Sequence, residues 1–221
     1  MGPASSGFPW EYLKTFLKSG VLEYLDAVSV HPYRNPKQSP ETAAADYKKL
    51  RDLIARYAPT SRTNMPILSG EWGYSTHRKG VSLETQANFA ARQQLSNLLK
   101  GIPLSIWYDW KNDGDDPGEN EHNFGTVSSD LKPKPAYDAI HKLTQELAGY
   151  RVEQHVPASD ESDYVLLCVN AAGKRKIAVW TTGTPHSTPI AISPAAGEQF
   201  AKVVQLKPTP QYIVVGAGTA K

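Results

Sequence analysis

Apolar positions along residues 9–149 follow two alternating rhythms. Residues 9–19 space Trp10, Leu13, Phe16 and Leu17 along one face of a helix, and Gly20 follows as a stop. LDAVSVHPY, residues 25–33, has a β-branched centre closed by His-Pro, which predicts a buried strand opening into a loop. Residues 39–57 begin SPET, with a serine to cap, a proline in the first turn and an acid beyond it, and continue as helix formers to Pro59. Residues 65–68 are apolar again, led in by Asn64, and predict a buried parallel strand. Residues 82–100 open SLET, read as a capping box, and end at Gly101. IPLSIWYDW, residues 102–110, predicts a strand, 111–132 a polar loop and 135–147 a helix. A helix followed by three strand–helix repeats implies right-handed crossovers and a parallel sheet.

After Gly149 the rhythm changes. RVEQHV, YVLLCVN, KIAVWTT, PIAIS, FAKVVQL and QYIVVG are short apolar or alternating runs separated by turn clusters such as AAGK and GTPHSTP. The fold class expected is therefore α/β plus all-β. Residues 1–149 form a partial (β/α) barrel of about three βα units with parallel strands. Residues 150–221 form a small antiparallel, sandwich-like β domain.

Composition narrows the partners. The 221 residues are 40% hydrophobic and 21% charged, ordinary for a globular chain, and a formal charge of +2 gives no footprint for nucleic acid. No apolar stretch approaches the ~20 residues that span a bilayer, and MGPASSGFPW has no hydrophobic signal core, so no membrane partner is expected. The compartment stays undetermined. The single cysteine, Cys168, lies within VLLCV and reads as a buried thiol rather than a nucleophile.

The chemistry concentrates in LSGEWGYST, residues 68–76. Glu71 follows an apolar run at the carboxyl end of a sheet strand, where α/β proteins keep their sites. The plainer alternative is a helix N-cap or a surface charge. A carboxylate held there can attack an anomeric carbon. A hydroxyl beside it, from Tyr33 or, behind it, Tyr74, can hydrogen-bond the carboxylate and keep it charged. His31 is suited either to hold Glu71 or to bind a substrate hydroxyl, the alternative being a backbone-tied histidine. Trp72, Trp107, Tyr108 and Trp110 offer aromatic faces for a sugar ring, but strand alternation forbids Trp107 and Tyr108 from lining one pocket together. The loop 111–130 carries Asp113, Asp115, Asp116, Glu119 and Glu121 without the twelve-residue calcium spacing, so a solvated, substrate-facing loop is expected, with no metal and no cofactor.

DAVSVHPY, LSGEWGYS, IWYDWKNDGDD, EHNFG and LKPKPAYDAI, in that order over residues 25–147, resemble the carboxyl-terminal part of a retaining (β/α)8-barrel glycoside hydrolase, most closely glycoside hydrolase family 39. The resemblance implies a glycosidase of β-linked sugars with Glu71 as nucleophile. His31 and Tyr33 would be its neighbours, Trp107 or Trp110 part of the sugar platform, and His122, Asn123 and Phe124 of EHNFG either sugar contacts or loop anchors. An oligosaccharide or aryl glycoside would be the substrate.

The chain departs from that family in one respect that matters. A retaining enzyme needs a second carboxylate about 5–5.5 Å from the nucleophile. In the family it follows an asparagine on a strand upstream of the His-x-Tyr strand, and the thirty residues before His31 contain no Asn-Glu pair. Asp113, Asp115, Glu119 and Glu121 are the candidate replacement acids. A barrel has eight strands, and only three are predicted here. The uncovered sheet is expected to be closed by a homo-oligomer. The alternative to a hydrolase is a non-catalytic carbohydrate-binding or oligomerising fragment of a glycosidase.

Overall fold

The structure is a computed structural model describing residues 1–193 and 199–215. Gly216, the last residue of the QYIVVG run, lies outside the described residues. The chain divides into two compact units, Met1–Asp138 and Ala139–Lys221.

The first unit is a four-stranded sheet in the order β1 (Gly2–Ser6), β2 (Val28–His31), β3 (Ile67–Trp72), β4 (Ser105–Trp107), with every pairing parallel. One strand more is present than the three expected. β1 is GPASS, built of small residues with no alternating run of large apolar side chains to announce it. Its pairing rests on backbone bonds to β2, with a register shift between Pro3 and Ser5. β4 is shorter than the apolar run that predicts it.

Helices α1 (Trp10–Lys18), α2 (Ala43–Tyr57) and α3 (Leu83–Leu99) connect the strands. Gly20 adopts φ +87° behind α1, and Gly101 takes φ +63° after α3, as their positions as stops require. Ser82 Oγ accepts from the Thr85 amide and caps α3, although the residue in the reciprocal position is Thr85 rather than an acid, so the box is half made. Ser39 makes no side-chain cap. A 3-10 turn, Pro40–Thr42, precedes α2, and Thr42 Oγ1 donates back to the Ser39 carbonyl.

The core of this unit gathers Leu13 and Leu17 of α1, Tyr47, Leu50 and Ile54 of α2, and Val28, Val30 and Ile67 of the sheet. Alternation then sends Ser29 and His31 to the opposite face of β2. α4 (Pro135–Leu147) occupies the range expected from the sequence, and the boundary between the units falls within it.

The second unit holds an antiparallel sheet in the order β10 (Gln211–Val215), β7 (Arg175–Thr181), β6 (Asp163–Asn170), β5 (Tyr150–His155). A second sheet pairs β8 (His186–Ile192) with β9 (Phe200–Leu206). Val165, Leu167, Ile177 and Val179 from the first sheet and Ile190, Ile192, Val204 and Leu206 from the second share one core, which makes the sandwich expected. Cys168, on the other face of β6 from Val165 and Leu167, is also buried, and burial pushes its thiol up to about 11.

Candidate active site

The end of β3 departs from simple alternation. Ser69 faces Ser105 and Trp72 faces Trp107, so three steps on β3 match two on β4. This extra residue is a bulge. It places Gly70 and Glu71 together on the face of His31. A Cβ at Gly70 would sit 3.3 Å from His31 Nε2, and Glu71 Oε1 lies 3.9 Å from His31 Nδ1. Gly73 lets the strand end close against β4, since a Cβ there would overlap the Tyr108 carbonyl.

Glu71 is neither a helix cap nor a stray surface charge. The Tyr33 hydroxyl donates to its Oε1 at 2.8 Å, and 38% of its side chain remains open to solvent, so a ligand can reach the other oxygen. Burial first, then the hydrogen bond to Glu71 and its charge, raises the Tyr33 phenol well above the ordinary tyrosine range, with further contributions from Tyr108 and Glu121. The phenol is therefore a fixed donor at neutral pH.

The bulge also corrects the expectation for Trp72. Without it, Trp72 would face the open side; with it, Trp72 turns into the core and is 0% exposed. Trp107, paired with Trp72, sits toward Tyr74 with ring centroids 6.4 Å apart and donates through Nε1 to the Phe124 carbonyl. Tyr108 takes the other face. Its ring meets Phe124 edge-on at 5.3 Å, and Tyr33 meets the same Phe124 at 6.2 Å. Tyr74 is a packing residue whose hydroxyl donates to the Gln38 carbonyl. Trp110 is 61% exposed, available to a flat ligand but held by no neighbour ring among the described residues.

The four candidate acids are placed differently. Glu121 Oε2 accepts from the Tyr108 hydroxyl at 3.3 Å, and its Oε1 accepts from Asn120 at 2.9 Å. Tyr108 is pushed up to about 12 by burial, then by the charges of Glu121, Asp113 and Asp109. Of the four, Glu121 alone is also felt at Tyr33. Asp115 accepts from the Ser129 hydroxyl, and Glu119 Oε1 accepts from the Glu121 amide. Glu71 and Glu121 thus stand at the two ends of a bridge of Tyr33, Phe124 and Tyr108.

His122 and Asn123 have different surroundings. Asn123 is an anchor: Nδ2 donates to the Asp116 and Glu119 carbonyls, and its own carbonyl accepts from Thr76, Gln86 and Lys134. His122 is half-buried, with its ring packed close over Gly114. Lys134, 8% exposed, bonds only neutral partners among the described residues, Thr76, Asn112 and Asn123, and burial lowers its amine to about 8.

Arg34 and Lys134 are parts of this arrangement that sequence reasoning does not single out as site residues. The period-2 rule offers Tyr108 as the alternative to Trp107, and EHNFG contains Phe124. Arg34 and Lys134 carry no signal beyond their charge.

Solved structures share this fold. The chain aligns over 91% of its length with a family 39 glycoside hydrolase from Bacteroides cellulosilyticus, at TM-score 0.74 and 24% identity, covering 46% of that enzyme. It aligns over 93% with a glucosidase from Croceicoccus marinus, at TM-score 0.63 and 15% identity, covering 45% of that chain. A family 39 enzyme from Xanthomonas axonopodis pv. citri aligns with 86% of this chain at TM-score 0.53 and 18% identity, with 42% of its own length covered. The chain therefore spans less than half the length of these enzymes, and the likeness is one of fold: part of a glycosidase barrel followed by a β domain. No family model and no curated protein matches the sequence.

Proposed function

We propose that the chain carries the nucleophile half of a retaining glycosidase acting on β-linked sugars, with Glu71 as the nucleophile. The observation that carries this reading is the Tyr33 hydroxyl on Glu71 Oε1 at 2.8 Å, at the carboxyl end of a parallel strand. A donor on one oxygen orients the carboxylate and leaves the second oxygen to attack an anomeric carbon. His31 stands behind the same carboxylate, and Tyr108 and Trp110 supply aromatic faces for the ring.

Glu121 is the acid this reading favours among the four in the loop. It shares Tyr33 and Tyr108 with the nucleophile side and is exposed to incoming solvent. In the first half-reaction it would protonate the departing oxygen as the Glu71–sugar bond forms. In the second it would take a proton from the water that releases the sugar.

The test is hydrolysis of aryl β-glycosides by the chain and by Glu71→Gln, combined with mass analysis after reaction with a 2-fluoro glycoside that traps the glycosyl-enzyme. Turnover lost in Glu71→Gln and a sugar adduct on the peptide holding Glu71 support the proposal. Equal turnover by both proteins overturns it. Saccharide-dependent stabilisation with no turnover and no adduct favours the binding-module alternative.

A further inference from the structure

Arg34 follows Tyr33 in the loop between β2 and α2, yet only 8% of its side chain is exposed. Its three nitrogens are all engaged. Nη2 lies 2.6 Å from Asp46 Oδ2 in the first turn of α2, and Nε donates to Thr42 Oγ1 at 3.1 Å. Nη1 donates to the carbonyl of Tyr33 itself at 3.3 Å. The guanidinium also lies 5.5 Å from the centroid of Phe8, in the loop after β1. A planar fork with this many fixed partners binds three separate pieces of chain at one point.

We propose that Arg34 is a positioning residue for Glu71: by clamping the Tyr33 backbone to Asp46 and Thr42, it keeps the Tyr33 hydroxyl on Glu71 Oε1. This rests on the reading of Glu71 as the functional carboxylate. Arg34 itself bonds neither Glu71 nor His31. Its effect passes through the backbone. Tyr33 is held on the strand side by its amide donating to the His31 carbonyl at 2.7 Å, and on the loop side by the Arg34 contact to its own carbonyl. Hydrogen bonds weaken steeply as distance and angle degrade, so a phenol hinged at one point loses a contact that a phenol held at two points keeps. The neighbours able to compete for that phenol are Glu121 and Tyr108, both close enough to be felt at Tyr33.

The experiment reads the hydrogen bond directly and needs no turnover. Full-length chain is prepared with tyrosine labelled at Cζ, and the Tyr33 carbon resonance, assigned through Tyr33→Phe, is followed by NMR. Glu71→Gln sets the reference, because it removes the charged acceptor. Arg34→Met is expected to move the Tyr33 resonance toward that reference. Asp46→Asn should move it in the same direction, and Arg34→Lys, which keeps the charge but not the fork, should restore part of the shift. Lys48→Ala, which breaks an exposed pair with Asp52 on the same helix, should leave it in place.

A lowered melting temperature in Arg34→Met with an unmoved Tyr33 resonance overturns the proposal. If Arg34→Met does not fold, unmoved resonances in Asp46→Asn and Arg34→Lys do the same. Failure of the functional reading is separate: the Arg34 shifts remain while hydrolysis and the trapped adduct are absent. A Glu71→Gln reference that fails to move Tyr33 removes the bond beneath both.

Discussion

The Tyr33 hydroxyl and Glu71 Oε1, from residues 38 positions apart, meet at 2.8 Å at the carboxyl ends of two adjacent parallel strands. A hydrogen bond to a charged acceptor contributes about 1.5–3 kcal/mol, and its loss leaves a partner unsatisfied. Tyr33→Phe is expected to lower kcat/KM on an aryl β-glycoside by roughly 10- to 100-fold without changing the fold. Steady-state kinetics alongside circular dichroism check this. An unchanged kcat/KM would remove Tyr33 from the machinery.

Glu121 and Asp115 lie in one loop, but only Glu121 touches Tyr108. Removing a general acid costs roughly 10²- to 10⁴-fold on a poor leaving group and less on a good one. Glu121→Gln is therefore expected to slow a natural β-linked oligosaccharide far more than a nitrophenyl glycoside. Asp115→Asn should affect neither. Equal losses on both substrates in Glu121→Gln would instead assign it a binding role.

Lys134 provides a pH test. Its amine is lowered to about 8 from 10.5 by burial, so between these values the unfolded chain holds a proton that the folded chain does not. Stability then rises with pH through that window, and below about 8 the cost of burying the charge is borne in full. Lys134→Met abolishes this dependence. The melting temperature of Lys134→Met minus that of the parent should fall as pH is raised from about 7 to about 10. A constant difference would show that Lys134 keeps an ordinary amine.

β1 and β4 each pair with only one strand among the described residues, and Leu104 and Ile106 are 41% and 46% exposed. Unpaired edges and exposed apolar positions favour association. Sedimentation at micromolar concentration is expected to show a species larger than the monomer, shifted toward monomer by Ile106→Glu. A monomer with one cooperative thermal transition would argue that this face is stable when bare.

Helices and buried strands were legible because the burial of one face writes its period into the chain. Trp10, Leu13 and Leu17 announce α1, and the apolar runs announce β2, β3 and most of the second unit. β1 left no such mark, since GPASS is held by backbone bonds and small side chains. Strict alternation from Ile67 would place Glu71 in the core and Trp72 on the open face. The bulge reverses both, and nothing in SGEW counts the extra residue. Glu71 was identifiable by its chemistry, Trp72 was offered to the sugar for its aromatic face beside Glu71 although the bulge turns it into the core, and Arg34 was missed because its partners, Thr42 and Asp46, are recognisable only once the loop has folded back.

Four donors converge on the Asn123 carbonyl: the amide and hydroxyl of Thr76, Gln86 Nε2 and Lys134 Nζ. Anyone grafting a different loop between β4 and α4, to retune what the chain grips, must carry this knot over intact. The stretch before it is tied in as well, since the Ser75 hydroxyl donates to the Asn120 carbonyl and the Arg78 amide to the Pro117 carbonyl, so a graft over 117–123 unfastens the segment after β3.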